Sequence, residues 1–206
     1  MSQIALPLGT AAGHGPSRIG VGSANAAAAA AMENTAAWPF RTAVLTGPPR
    51  SGKSLFAAWF AGASTGQAKG EALDDADRMD ETELFHRWNR AQESGTPLLL
   101  TVGREWHIAL PDLASRIGAA LHLALGEPDD AMLAELIAVH AEMRGLALGD
   151  PALAYLVPRC QRSFASAEAL VAAIDRLSLE RKQAPTLSIW RDALEELMGP
   201  QEPRLF

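Results

Sequence analysis

The sequence predicts an α/β fold in which a parallel sheet is packed between helices, followed by an all-helical region. Two observations support this prediction. Between residues 43 and 101, short apolar runs alternate with stretches of helical periodicity. From Asp112 onward, we expect helices only. A chain of 206 residues is long enough for one sizeable core and a small appended unit. We therefore expect a junction between the two regions near Gly126.

The elements of the first region follow from local composition. The alanine run predicts a helix from about Asn25 to Thr35, because alanine is the best helix former. An apolar strand is expected at Ala43 to Leu45, then a helix with Leu55, Phe56, Trp59 and Phe60 on its apolar side. A helix near 81–93 and a buried strand at Leu98 to Thr101 complete the predicted sheet region.

The second region contains three apolar stripes at helical spacing. The first runs from Met132 to Met143 and ends at Gly145, the expected left-handed residue after a helix. Asp150 is predicted to cap a short helix, with Pro151 in its first turn. The remaining stripes cover about 164–177 and 189–197, which together predict a small helical bundle.

The segment GPPRSGKS, Gly47 to Ser54, fits the pattern G-x-x-x-x-G-K-[ST] between a strand and a helix. In this P-loop motif, backbone N–H groups surround phosphate oxygens, Lys53 reaches the β- and γ-phosphates and Ser54 binds Mg²⁺. The expected nucleotide-binding residues of this segment are Gly47, Pro48, Pro49, Arg50, Ser51, Gly52, Lys53, Ser54 and Leu55.

Carboxylates for a magnesium nucleotide are expected in ALDDADR. Asp74 is the candidate Mg²⁺ ligand, together with Ser54, and Asp75 is the candidate catalytic carboxylate that polarises water. The strand before Asp74 is weak, and only 19 residues separate Ser54 from Asp74. This spacing leaves no room for an extra strand and helix, so we expect a small sheet that is trimmed at one edge.

Charge and composition limit the partners. The formal net charge of -6 disfavours binding to the DNA backbone. Cys160 is the only cysteine, so no internal disulfide forms, and the five histidines show no metal spacing. No stretch is long and apolar enough to span a bilayer or resembles a leader, so the protein is expected to be cytoplasmic.

The amino terminus pairs an apolar peptide with a tether. QIALPL, residues 3–8, is followed by GTAAGHGPSR, whose composition predicts a flexible segment with a span of roughly 15 to 20 Å. Ile4, Leu6 and Leu8 are therefore expected either to be disordered or to dock on another molecule, because short extended segments with apolar anchors are a common peptide-recognition design.

These motifs together resemble the DnaA-related AAA+ proteins, and most of all the shorter Hda-type regulators. The resemblance covers nearly the whole chain. It rests on VGSANAAAAAA, GPPRSGKS, LDDADR, LLLTVGRE and LPDLASR in family order, and on QIALPL, which is similar to the clamp-binding peptide of Hda. The chain also stops after the helical region, with no room for the DNA-binding domain of DnaA. The resemblance implies an AAA+ sheet and a carboxyl-terminal lid. The expected division is an amino-terminal segment 1–18, a nucleotide-binding subdomain 19–126 and a lid 127–206.

The resemblance also implies residue roles. Val21 and Asn25 would lie near the adenine, Thr101 would be the sensor of the nucleotide, and Arg116 of LPDLASR would be an arginine finger offered to DnaA. Taken alone, Arg116 is better explained as a solvated surface residue than as a catalytic finger. The family's second sensor arginine is replaced by Ala165, which leaves Arg162 one turn earlier as the candidate.

The implied function is regulation of replication initiation: a nucleotide-bound protein held on the sliding clamp promotes hydrolysis of ATP on DnaA. Gln3, Ile4, Leu6, Pro7 and Leu8 would bind the clamp. The cofactors would be ADP or ATP with Mg²⁺. Hydrolysis of this nucleotide by the protein itself would be weak or absent. Neither sequence-specific DNA binding nor membrane binding is expected. Self-association is left open, as is a partner for QEPRLF at the carboxyl end. The alternatives are a stand-alone P-loop NTPase or kinase and a nucleotide-free scaffold.

Overall fold

The structure, a computed structural model, describes residues 22–62, 69–103 and 106–199. The chain divides into two compact units, Met1–Gly126 and Glu127–Phe206. Of the expected site residues, Val21 and the peptide at residues 3–8 lie outside the described ranges.

The first unit contains a four-stranded parallel sheet in the order β2-β3-β1-β4. The strands are β1 (Thr42–Thr46), β2 (Glu71–Leu73), β3 (Leu98–Thr101) and β4 (Leu121–Ala124). Val44 of β1 pairs with Leu100 on one side and with His122 on the other. The central strands β1 and β3 are almost entirely buried, as their uninterrupted apolar runs predicted.

The prediction of helices only after Asp112 was wrong at β4. The sequence Leu-His-Leu-Ala of this strand alternates apolar and polar residues, and its burial alternates between half-buried and exposed. That pattern is typical of a strand at a sheet edge with one face toward the core. Four residues between helical segments gave too short a signal to stand out from the surrounding helical periodicity.

Helices cover both faces of the sheet. The side chains of Ala43, Leu45 and Leu99 point to the face covered by α1 (Ala26–Glu33) and α2 (Lys53–Phe60). The alternate residues Val44, Leu98 and Leu100 point to the face covered by α3 (Glu81–Ser94) and α4 (Pro111–Gly118). The P-loop helix α2 and the helix that contains Arg116 therefore lie on opposite faces of the sheet.

The small, trimmed sheet is confirmed. The edge strand β2 has only three residues. Gly70, just before it, permits this close packing, because a Cβ there would lie 2.2 Å from the carbonyl oxygen of Pro97. Any larger residue at position 70 would push β2 away from β3.

The second unit is a helical bundle with one apolar core. Its helices are α5 (Asp130–Met143), α6 (Asp150–Leu156), α7 (Phe164–Arg181) and α8 (Leu187–Met198). Gly145 has the predicted left-handed backbone, with φ +68°. The predicted cap at Asp150 was one residue late: Gly149 precedes the helix, Asp150 is its first residue and makes no capping hydrogen bond. Because Asp150 is already helical, its carboxylate cannot reach the first free N–H groups.

Cys160 is buried in this bundle, and burial raises the pKa of its thiol to about 11. The thiol is therefore protonated and poorly nucleophilic at neutral pH. In the described part of the chain, no helix combines the length and apolar content required to cross a bilayer.

Candidate functional site

The P-loop follows the buried end of β1 and opens helix α2 at Lys53. Gly52 has φ +87°, a left-handed conformation that a side chain with a Cβ rarely adopts. The Nζ of Lys53 donates to the carbonyl oxygens of Gly47 and Pro48, at 3.0 and 3.1 Å. The lysine ammonium is thus held inside the curve of the loop, where it can meet an anionic oxygen without a large rearrangement.

Gly47 is required by packing. A Cβ at this position would lie 2.8 Å from the Oγ of Ser51 and 2.9 Å from the Cβ of Leu125. Ser51 is 4% exposed, and its hydroxyl has no hydrogen-bond partner among the described residues. The close packing of these three residues keeps the loop backbone tight.

The remaining P-loop residues divide by exposure. Pro49, Arg50 and Ser54 are exposed to solvent, whereas Leu55 packs against the core between the sheet, α1 and α2. Arg50 has φ +65°, which turns the backbone at the outer rim of the loop. The curved, glycine-containing backbone, the helix N-terminus and the inward lysine fit a nucleotide phosphate.

The expected carboxylates lie at the carboxyl end of β2. Asp74 accepts a short hydrogen bond from the Oγ1 of Thr101, and the backbone N–H of Asp75 donates to the same hydroxyl at 3.0 Å. Thr101 is fully buried at the end of β3. The structure therefore brings together the predicted metal-ligand candidate and the predicted sensor, which lie on adjacent strands.

Asp75 has a different environment. It adopts a left-handed conformation with φ 49°, and its side chain, half exposed, pairs with Arg78 at 3.2 Å. Its carboxylate is neutralised by this neighbour instead of being bound to Thr101. Among the described residues, no group of three or more His, Cys, Asp or Glu side chains is arranged to hold a metal ion.

Asp77, the third carboxylate that the sequence offered beside Asp74 and Asp75, was given no separate role. Its Oδ2 accepts from the backbone N–H of Gly103 at 3.1 Å, and a Cβ at Gly103 would lie 3.0 Å from that oxygen. Asp77 thereby ties the turn after β2 to the residues after β3. The third acidic residue of LDDADR was a visible signal, but its contact with Gly103 required the strand order.

Asn25, expected near the adenine, closes the turn before α1. It is 2% exposed, and its Oδ1 accepts from the N–H of Gly22 at 2.9 Å. Arg162, the second sensor candidate, lies in the helical unit, where its guanidinium pairs with Asp130 at 2.8 Å.

Arg116 lies in the last turn of α4 and packs against α3. Its guanidinium stacks over the rings of Phe85 and Trp88, with 4.9 and 4.5 Å to the ring centres. One Nη donates to the Oδ1 of Asn89 at 3.2 Å. Stacking uses the flat face of the guanidinium, so its other N–H groups remain available at the edge. The residue is half-buried, in contrast to a freely solvated arginine.

The position of α4 is fixed by a residue that the sequence did not indicate. Both carboxylate oxygens of Glu81, at the start of α3, accept from the N–H groups of Ala109 and Leu110, at 2.8 and 2.6 Å. These N–H groups precede the first turn of α4, where Pro111 removes another donor. Glu81 therefore links the two helices that form the surroundings of Arg116.

Comparisons with known proteins agree with this geometry. Residues 129–194 match the family model described as the Hda lid domain. Domain III of the Thermotoga maritima replication initiation protein DnaA superposes with a TM-score of 0.64 at 17% identity, over 87% of this chain and 95% of that one. Residues 129–194 are thus similar to the lid domain of Hda, and the chain shares its fold with domain III of DnaA.

Other solved structures share the fold of this chain. The Thermotoga maritima RuvB Holliday junction branch migration motor has a TM-score of 0.61 at 19% identity, over 88% of this chain and 73% of that one. A DnaA structure bound to AMPPCP and single-stranded DNA has a TM-score of 0.55 at 16% identity, over 79% of this chain and 65% of that one. The predicted AAA+ fold is therefore confirmed.

Proposed function

We propose that this chain is an Hda-type protein that binds ADP or ATP at its P-loop, is held on the sliding clamp by residues 3–8, and promotes hydrolysis of ATP bound to DnaA. In this proposal, Arg116 is an arginine finger supplied to the nucleotide of DnaA. Such a finger stabilises the charge that develops on the transferring phosphoryl group.

The observation that supports an action in trans is the position of Arg116 relative to its own P-loop. The loop lies at the carboxyl edge of the sheet and continues into α2 on one face. Helix α4 covers the other face, and it returns from the carboxyl end of β3 toward the amino end of β4. Arg116 is five residues into this helix, about 8 Å from its start. It therefore lies on the far side of the sheet from Lys53.

The nucleotide has a structural role in this proposal. Lys53 would bind β- and γ-phosphate oxygens, the N–H groups at the start of α2 would surround them, and Ser54 with Asp74 would hold Mg²⁺. When bound, the magnesium nucleotide supplies charge that is otherwise absent from the loop. The exposed hydroxyl of Ser54 and the inward Nζ of Lys53 fit these assignments.

Weak hydrolysis of the protein's own nucleotide is also part of the proposal. A catalytic carboxylate must orient water next to the γ-phosphate. The carboxylate of Asp75 is instead paired with Arg78, and its backbone N–H is bound to Thr101. This arrangement supports nucleotide binding more than turnover. A strong turnover by the isolated protein would favour the alternative of a stand-alone NTPase.

Clamp binding is proposed from the sequence, since residues 3–8 lie outside the described ranges. Titration of the full chain against purified clamp should give saturable binding. Gln3→Ala combined with Leu6→Ala should weaken it by at least about tenfold, because aromatic or aliphatic anchors dominate such peptide contacts. Ser2→Ala, just outside the motif, is the matched control. Equal binding by the double variant would remove this part of the proposal.

The regulatory function is tested by mixing the protein with ATP-loaded DnaA and DNA-loaded clamp. We expect phosphate release from DnaA to rise when all components are present and to fall when the clamp is omitted. The release is attributed to DnaA by loading only DnaA with labelled ATP. Release that is unchanged by the wild-type protein would contradict the proposed function.

A further inference from the structure

Two consecutive residues just before β1, neither of them glycine, adopt left-handed backbone conformations. Phe40 has φ 49° and ψ 25°, and Arg41 has φ 47°. A bulky side chain at positive φ is an outlier, because its Cβ approaches the backbone oxygen too closely. Strain of this kind persists where neighbouring contacts hold it, and it is concentrated at functional positions.

The contacts that hold this turn are all made by the backbone of Phe40 and by its neighbours. The carbonyl oxygen of Phe40 accepts from the Nε2 of Gln92 at 2.8 Å and from the Oγ1 of Thr42 at 2.9 Å. The guanidinium of Arg41 donates to the carbonyl oxygen of Gly95 at 2.7 Å. None of these bonds requires a phenyl ring at position 40. Glycine or asparagine would adopt the same backbone at lower cost.

Burial does not compensate for the strain either. Phe40 is 56% exposed, and its ring makes a tilted contact with Trp88, with 6.4 Å between the two ring centres. Most of the ring's apolar surface remains in water, where it contributes little to folding. The ring is therefore poorly explained by the stability of the isolated chain.

The neighbour of Phe40 is the indole that supports Arg116. Trp88 is 6% exposed, and the guanidinium of Arg116 stacks on it at 4.5 Å. Phe40 and Arg116 thus contact the same side chain of α3. An exposed aromatic ring close to an arginine with free N–H groups is the composition typical of a binding hot spot.

We infer that Phe40 is an apolar anchor for the protein that receives Arg116. This inference rests on the proposed function and identifies a second contact with the same partner. The partner surface that fits is an apolar depression beside a bound nucleotide, within reach of both the ring and the guanidinium. The strained backbone leaves the ring largely exposed, and Trp88 contacts both this ring and the guanidinium of Arg116.

The test compares Phe40→Gly, Phe40→Asn and Phe40→Leu in the assay with ATP-loaded DnaA and DNA-loaded clamp. The first two fit the left-handed backbone and remove the ring, and the third keeps an apolar side chain. Leu179→Ala is the matched control, since Leu179 is a 71% exposed apolar residue elsewhere. Rates are measured across DnaA concentrations, and each variant's Tm is recorded.

With Phe40→Gly and Phe40→Asn, we expect the DnaA concentration for half-maximal rate to rise about tenfold. The rate at saturation should stay at the wild-type value. The Tm should stay at the wild-type value or increase. Phe40→Leu should recover part of the affinity, and Leu179→Ala should match wild type. Arg116→Ala, in contrast, should lower the rate at saturation.

Two results would overturn the inference alone. The first is a DnaA concentration for half-maximal rate that is unchanged in Phe40→Gly while Arg116→Ala is inactive. The second is a lower Tm in both Phe40→Gly and Phe40→Asn that accounts for the lost stimulation. No stimulation by folded wild-type protein would overturn the proposed function, and the inference with it.

Discussion

The P-loop and the surroundings of Arg116 are built in different ways, although both belong to the same unit. The P-loop is one continuous segment whose backbone forms the site, with Gly52 at φ +87° and Lys53 bonded to two carbonyls of the same loop. Arg116 is held by side chains of another helix, Phe85, Trp88 and Asn89. The first site depends on local conformation and the second on the packing of α3 against α4. They should therefore respond differently to substitution.

The largest effect on the P-loop side is expected from Lys53→Ala. Loss of the ammonium should weaken ADP binding by about 100-fold, because hydrogen bonds to charged groups contribute most per contact. Isothermal titration calorimetry measures this change. Lys69→Ala is the control, since Lys69 pairs with Glu33 at 2.5 Å and should change the affinity by no more than about twofold. ADP affinity near the wild-type value in Lys53→Ala would contradict the assigned phosphate site.

Gly47→Ala tests whether the loop is as tight as the geometry indicates. The added Cβ would meet Ser51 and Leu125 at 2.8 and 2.9 Å, so we expect the free energy of unfolding to fall by about 2 kcal/mol. ADP affinity should fall with it. Gly118→Ala is the matched control, because no atom lies within 4 Å of its Cβ position. Denaturant unfolding measures both, and equal stability of the two variants would contradict the tight-packing explanation.

Asn89→Ala tests the surroundings of Arg116 without removing its charge. The guanidinium would lose its hydrogen bond of 3.2 Å and with it part of its orientation. We expect stimulated hydrolysis at saturating DnaA to fall about tenfold, a fraction of what a whole arginine finger contributes. Arg90→Ala, at the next position of α3, is the control. ADP affinity should be unchanged in both, and an effect on ADP affinity equal to that on hydrolysis would contradict the separation of the two sites.

The smallest effect is expected from Thr101→Val. Its hydroxyl bonds both to Asp74 and to the N–H of Asp75, so its loss should lower the free energy of unfolding by about 1 to 2 kcal/mol. Thr46→Val removes a weaker bond of 3.2 Å to the carbonyl of Leu123 and should cost less. Denaturant unfolding compares the pair. A larger loss for Thr46→Val would mean that the link between β2 and β3 is unimportant.

The same contrast explains what could be predicted from the sequence. The P-loop, the strand before it and the trimmed sheet depend on local motifs and spacing, so they were predictable. The strand β4 was missed because its four residues alternate weakly between long helical patterns. The contacts of Arg116 could not be foreseen. Its hydrogen-bond partner Asn89 lies 27 residues earlier in the chain, and whether the two segments meet depends on the strand order.

Glu81 illustrates the same limit. As a residue in the first turn of a helix, it is a favourable neighbour of the helix dipole and nothing more. The structure shows it accepting two N–H groups at the start of α4. Asp77 and Gly103 form a similar distant pair. Such pairs are formed by tertiary packing, on which sequence periodicity gives no information.

Arg116→Ala provides the most direct test that this chain acts on the nucleotide of another protein. The variant should bind ADP as tightly as wild type, because Arg116 lies on the opposite face of the sheet from α2. It should also lose about 10³-fold of the stimulated hydrolysis of labelled ATP on DnaA, the usual contribution of a finger supplied in trans. Undiminished hydrolysis, or a hydrolysis loss explained by weaker ADP binding, would contradict the account.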